Sequence, residues 1–181
     1  MTTSADIAGT RLTLTRGDIM LQATEAIVNA ANGSLLGGGG VDGAIHRAGG
    51  PGILEECKKI VAEIGRCPTG EAVITTGGDL EAAWVIHTVG PVWRGGGNGE
   101  AGLLASAYRN SLTLATASGI RSLSFPSIST GAYRFPIARA AEIALGTVSE
   151  VLEQTSFDEV RFVLFSEEDL NVYEDTLPKL L

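Results

Sequence analysis

A short apolar run, Ala26-Ile27-Val28-Asn29, leads into Asn32-Gly33-Ser34-Leu35-Leu36 and then into four consecutive glycines, Gly37 to Gly40. Val41, Ala44, Ile45 and Ala48 follow at helical spacing. A β-branched run of this length reads as a buried strand, and the segment after it as a helix. A glycine-rich turn between the two fixes a strand–loop–helix unit. In open α/β sheets such a turn opens at the carboxyl end of the strands, where ligands bind. Glycines let backbone N–H groups approach an anion, and a helix N-terminus adds a favourable dipole. By itself the run could also be a mobile connector. No Lys-Ser/Thr follows the glycines, so they are not a Walker loop, and the spacing does not fit a dinucleotide fingerprint.

The same alternation continues along the chain. Arg11–Thr15 alternates and reads as an edge strand ended by Gly17-Asp18. Pro51 can start a helix reaching Ile64. Ala72–Thr76 and Trp84–Val89 read as strands, Glu100–Ser118 as a helix and Ser122–Phe125 as a strand. A second small-residue loop, Ser127 to Tyr133, precedes a helix from Ile137 to about Glu153. Val160–Phe165 reads as the last strand, and Glu167-Glu168-Asp169 as the solvated acidic start of a final helix. The pattern predicts one three-layer α/β/α domain over residues 11–181, with a mixed, mostly parallel central sheet, after an extension over residues 1–10. Both small-residue loops follow strands, so both belong on the same rim.

Composition narrows the function. The chain has 181 residues, 44% hydrophobic, enough for a real core. No apolar run approaches the ~20 residues of a membrane helix, and residues 1–10 carry no signal-peptide pattern. A cytoplasmic protein without a membrane partner is expected. A net charge of −8 argues against broad nucleic-acid binding, though loop amides still bind a small phosphorylated ligand. Two cysteines, Cys57 and Cys67, and two histidines, His46 and His87, make no metal or disulfide motif; neither metal nor cofactor is expected. The cysteines read as idle buried thiols, and His87, inside a strand, as a core histidine.

Several side chains near the loops can carry chemistry. Asp42 can cap the helix, or hold a water as a general base. His46, four residues on, shares its helical face and can either orient Asp42 or simply pack. Asn32 is expected to face a ligand, and Asn29 to support the loop. Asp18 is a turn residue or an acceptor for the amino group of a base. Phe165 can stack on a purine or belong to the core, and Tyr133 and Phe135 can line a pocket or pack.

Taken together, Gly17-Asp18-Ile19, Asn29–Asn32, Gly37–Gly43, Ala44–Ala48 and Phe125–Pro136 resemble the macrodomain family, and within it the MacroD-type ADP-ribosyl hydrolases. The resemblance spans about Arg11 to Leu177. It implies an ADP-ribose cleft on the rim of a six- or seven-stranded mixed sheet. Asp18 and Ile19 would meet the adenine and Phe165 would stack on it. Ser129, Thr130, Gly131, Ala132 and Tyr133 would surround the diphosphate, with Gly39, Gly40 and Val41 opposite. Asn32 would position the distal ribose and Asp42 would be catalytic, with His46 as its candidate assistant. Ala132 and Arg134 depart from the family pattern, where a larger aliphatic residue and a glycine are more familiar.

The expected activity is metal-independent hydrolysis of an ester at the distal ribose. Candidate substrates are O-acetyl-ADP-ribose and proteins carrying mono-ADP-ribose on acidic side chains. A monomer is expected. Two alternatives are a non-catalytic reader of ADP-ribose marks and an ADP-ribose 1″-phosphate phosphatase.

Overall fold

The computed structural model describes residues 2–181. Seven strands form one sheet: β1 (Thr2–Ile7), β2 (Thr10–Arg16), β3 (Ala26–Ala31), β4 (Ala72–Thr76), β5 (Trp84–Val89), β6 (Ser122–Phe125) and β7 (Glu159–Leu164). Their spatial order is β1-β2-β7-β6-β3-β5-β4. The four inner pairings are parallel, and β1–β2 and β4–β5 at the two edges are antiparallel. Five helices complete the fold: α1 (Gly40–Gly49), α2 (Pro51–Ile64), α3 (Glu100–Ala117), α4 (Ile137–Leu152) and α5 (Glu167–Thr176). The mixed α/β/α architecture agrees with the expectation from sequence.

Period-two alternation splits the core into two layers. Val28, Ile86, Leu123, Phe125 and Phe162 face α3, α4 and α5, where they pack on Leu104, Tyr108, Leu112, Leu145 and Val148. Ile27, Val85, Val89 and Val163 face the other way, onto Ile45, Ile53 and Cys57 of α1 and α2. Inner strands buried on both faces take apolar residues at consecutive positions, as at Ala26–Val28 of β3, Val85-Ile86 of β5 and Phe162–Leu164 of β7.

The first ten residues depart from expectation. Residues 2–7, set apart as an extension, form β1 and pair with β2 from Thr2↔Thr15 to Ile7↔Thr10. Ala8 and Gly9 join the two strands with φ of +50° and +90°, the left-handed pair that a tight hairpin requires. β1 is therefore the sheet edge, and β2, read as an edge, is an inner strand hydrogen-bonded on both sides. The polar alternation of Thr2–Asp6 is that of a strand exposed on its outer face, and carries no apolar signal. Among the described residues no helix is long and apolar enough to cross a membrane.

Candidate active site

The carboxyl ends of β2, β3, β6 and β7 open onto a cleft of about 1030 Å³, at the upper end of the range for small-molecule sites. The two small-residue loops form its walls. Gly39, Gly40 and Val41 line one side, and Ser129, Thr130, Gly131, Ala132 and Tyr133 the other. Asp18, Ile19, Asn32, Asp42 and Phe165 line it too, so every expected ligand residue falls in one cavity. His46 does not line it. The cleft also takes in Gly90, just after β5, and Asp169 of α5, which the sequence reading does not place there. From sequence Asp169 belongs to a solvated acidic helix start. Its neighbours Glu167 and Glu168 are exposed, whereas Asp169, in the same first turn of α5, lines the cleft.

The first wall depends on a helix start without a side-chain cap. Gly39 is the N-cap of α1 and no side chain bonds to its first turn. The leading N–H groups of Gly40, Val41 and Asp42 therefore have no intrahelical acceptor and are available to an anion. The cap reading of Asp42 is thus set aside: it sits two residues inside the helix and caps nothing. A Cβ on Gly43 would run into the carbonyl oxygen of Gly38, so only glycine lets the loop fold this closely over α1.

Asp42 is 4% exposed, low for a carboxylate. Its Oδ1 accepts a hydrogen bond from Asn29 Nδ2 at 2.8 Å, and His46 Nε2 lies 3.4 Å from the same oxygen. Neither ring nitrogen of His46 makes a well-aligned hydrogen bond. His46 therefore stands behind Asp42, off the cleft, as a close neighbour of the carboxylate. Asn29, expected to support the loop, is fully buried and ties down Asp42 itself. Asn32 takes the loop role as well as the cleft position: Nδ2 donates to the Gly37 carbonyl at 3.0 Å and Oδ1 accepts from Ser34 N at 3.1 Å. Gly38 lies between the side chains of Asn32 and Asp42. A Cβ there would sit 3.2 Å from Asn32 Nδ2 and 3.3 Å from Asp42 Oδ2.

The second wall is held from beneath by two buried tyrosines. Tyr108 of α3 accepts from Ile128 N at 3.0 Å, and Tyr173 of α5 donates to Ser127 Oγ at 2.9 Å. Burial holds both hydroxyls protonated: it pushes Tyr173 up to about 12 and Tyr108 well above the ordinary tyrosine value. Thr130 Oγ1 donates to Ser127 Oγ at 2.9 Å, and Phe135 N donates to Ser129 O at 2.9 Å, closing the loop on itself. Ser129 and Arg134 adopt left-handed backbone, φ +68° and +63°. Such strain in non-glycine residues persists only where the surroundings enforce it, and it gathers at binding loops. It also explains why a glycine would be at ease at position 134. Ser129 Oγ is buried without a hydrogen-bond partner among the described residues.

Trp93 N donates to Tyr133 O at 2.8 Å, linking this loop to the segment 93–98. Glu100 orders that segment by accepting from the N–H groups of Arg94, Gly96 and Asn98. These amides, Arg94 first, hold its carboxyl down at about 2. Phe135 packs on Trp93, ring centroids 4.7 Å apart, and is not a pocket residue.

At the far end Asp18 Oδ1 accepts from Met20 N at 2.9 Å, capping a short 3₁₀ turn at Ile19–Leu21 while lining the cleft. Phe165 is 90% exposed. A phenyl ring left in water on a cleft rim is available for stacking, and the core reading is excluded.

His46, Cys57 and His87 place ligand-type atoms within 4.8 Å of one another. The donor chemistry does not suit a metal. Both nitrogens of His87 are engaged, with Asn29 at 3.0 Å and Thr75 at 2.9 Å. Burial pushes the Cys57 thiol up to about 11, away from the thiolate a metal binds.

A model of the Macro domain family matches residues 28–144, which run from within β3 through both cleft walls to the middle of α4. The chain belongs to the macrodomain family. The O-acetyl-ADP-ribose deacetylase of Escherichia coli (strain K12) is 55% identical over 169 residues, 93% of this chain and 96% of that protein. An Oceanobacillus iheyensis macrodomain solved with ADP superposes with a TM-score of 0.96 at 46% identity, covering 99% of this chain and 96% of that one. A Trypanosoma brucei macrodomain in complex with ADP-ribose gives 0.82 at 43% identity, covering 91% of this chain and 68% of that one.

Proposed function

We propose that this macrodomain binds ADP-ribose esters in the cleft and hydrolyses the ester at the distal ribose. O-acetyl-ADP-ribose is the first substrate, and mono-ADP-ribose on acidic protein side chains the second. The observation that carries the reading is Asp42: a buried carboxylate in the cleft wall, one oxygen tied to Asn29 and the other facing Asn32 across Gly38. A capping or merely solubilising carboxylate has no need of that burial. The deacetylase name of the Escherichia coli relative and the ADP-ribose bound by the Trypanosoma brucei macrodomain agree with it.

In this reading Asp18, Ile19 and Phe165 hold the adenine, the two loops hold the diphosphate, and Asn32 orients the distal ribose. A water between Asp42 and the diphosphate gives a proton to the carboxylate and adds to the acyl carbon. Loop amides stabilise the negative charge that develops. The ribose–oxygen bond to the acyl carbon then breaks, and the ribose hydroxyl takes the proton back from Asp42. No redox change occurs and no further reactant is needed.

The wild-type protein is expected to release acetate and ADP-ribose from O-acetyl-ADP-ribose, and ADP-ribose from a carrier modified on glutamate. Tight calorimetric binding of ADP-ribose with no product after long incubation would instead identify a reader. Inorganic phosphate from ADP-ribose 1″-phosphate would identify a phosphatase.

The cleft wall yields a separate prediction. A Cβ on Gly90 would collide with Ser129 Oγ and Ile128 Cγ2. Gly90→Ala is expected to push the diphosphate loop outward and weaken ADP-ribose binding roughly tenfold, in keeping with the ~1–3 kcal/mol that overpacking costs. Calorimetry on the folded variant checks it, and unchanged affinity would remove Ser129 from the binding wall.

A further inference from the structure

Behind Asp42 runs a file of buried polar groups that the hydrolytic steps do not use. Asn29 and His87 are register partners on the adjacent parallel strands β3 and β5. Thr75 comes from β4, the next strand out. Asn29 and His87 are fully buried and Thr75 is 2% exposed. The spacings are continuous. Asn29 Nδ2 lies 2.8 Å from Asp42 Oδ1 and 3.0 Å from His87 Nδ1. His87 Nε2 lies 2.9 Å from Thr75 Oγ1, which lies 3.0 Å from the Thr76 carbonyl oxygen.

Only one arrangement of protons fills every contact. The Thr76 carbonyl can only accept, so the Thr75 hydroxyl donates to it. The Thr75 oxygen then accepts, which puts the single imidazole proton on Nε2. His87 Nδ1 is left with a lone pair and accepts from Asn29. The second N–H of the same amide goes to Asp42. Burial keeps His87 neutral, as this requires, by pushing its pKa down to about 3. From the helices, Cys57 Sγ approaches Nε2 only to 3.9 Å and the His46 ring stays 6.1 Å away, so neither replaces Thr75. Asn29 Oδ1 has no partner among the described residues, so nothing on its oxygen side holds the amide.

We propose that Thr75 and His87 are positioning residues for Asp42. The Thr76 carbonyl sets the direction of the file, and that direction makes Asn29 present an N–H to the reacting carboxylate. In the reversed file the hydroxyl donates to Nε2, the imidazole proton moves to Nδ1, and the amide turns its oxygen against Asp42. Two strands away from the cleft, a hydroxyl thereby fixes the attitude of the carboxylate. The proposal rests on Asp42 being the reacting group.

The test compares Thr75→Val with Thr75→Ser in the full chain. The valine is expected to lower kcat for O-acetyl-ADP-ribose roughly tenfold, the scale on which outer hydrogen-bond partners act. KM and the ADP-ribose Kd should stay within about twofold, because the binding walls are untouched. Serine keeps the hydroxyl and should restore kcat. Long-range ¹H–¹⁵N spectra, simple with two imidazoles in the chain, should show His87 protonated at Nε2 in the wild type and the serine variant, and losing that form in the valine variant. A wild-type His87 protonated at Nδ1 would overturn the proposal. So would valine and serine variants that are equally slow, or a valine variant with altered tautomer and full kcat. The wild-type spectrum decides the tautomer even if the valine variant does not fold. Full activity in Asp42→Ala would instead remove the assignment of Asp42, leaving the tautomer result standing.

Discussion

Asp42→Ala is expected to slow ester hydrolysis by about 10²–10³, within the range that a positioned general base contributes, while ADP-ribose still binds. The reasoning starts from where the side chain sits. Asp42 lies in the third position of α1, beside N–H groups that would hold a diphosphate. A carboxylate next to an anion opposes binding by charge repulsion, so removing it does not weaken affinity. What is lost is the group that orients the water and accepts its proton. Cavity effects are small here because the side chain borders an open cleft rather than the core. Single-turnover acetate release measures the first arm and calorimetry the second. A variant with wild-type turnover would sink the catalytic role. One that neither binds nor turns over would show that Asp42 holds the loop, and the comparison would then move to Asp42→Asn.

Acid is expected to weaken the fold earlier than the carboxylates alone would dictate. His87 is neutral in the folded protein, with a pKa depressed from 6.5 to about 3 by burial and by His46 nearby. The unfolded chain regains the ordinary value. Between the two the unfolded state binds one more proton, so stability is full above about pH 6.5 and falls as pH drops towards 3. The slope is at most ~1.4 kcal/mol per pH unit, which makes about 2 kcal/mol between pH 6.5 and 5. That is a large fraction of a domain's stability, commonly ~5–15 kcal/mol. Asp42, His46 and Cys57 are the titratable groups beside the imidazole, and none lies on its own strand. Urea unfolding at pH 7 and 5, compared with His87→Gln, isolates the contribution as the difference in slope. Parallel slopes in the two proteins would show that His87 does not titrate on unfolding.

Much of this was legible in the chain because local rules happened to agree. β3, β5, β6 and α2 fall within a residue or two of the spans that the sequence pattern predicts, and α5 begins at the expected acidic residues. The two ligand loops were readable because glycine and small residues after a strand have few other uses, and the strand-end rule places them together. β1 was not readable. Thr2–Asp6 has no apolar face, and only pairing with β2 makes it a strand. Asp169 and Gly90 were missed for a related reason: one carries the signal of a helix start, the other of a turn. Their second role depends on which loop lies opposite.

The sequence alone determined the layer order of strands and helices, the glycine loop, and the residue types brought to the rim. These follow from periods of 2 and 3.6 and from φ preferences, which are properties of single segments. Tertiary structure decided what each polar side chain does. Asn29, Asn32 and His46 are close in sequence to Asp42, yet one tethers it, one faces it across Gly38, and one stands behind it. Asn29 in turn meets His87, and His87 meets Thr75, brought in from β5 and β4 by sheet pairing. A hydrogen bond needs an angle and about 3 Å. Only the packed sheet specifies those between residues 58 positions apart, as between Asn29 and His87.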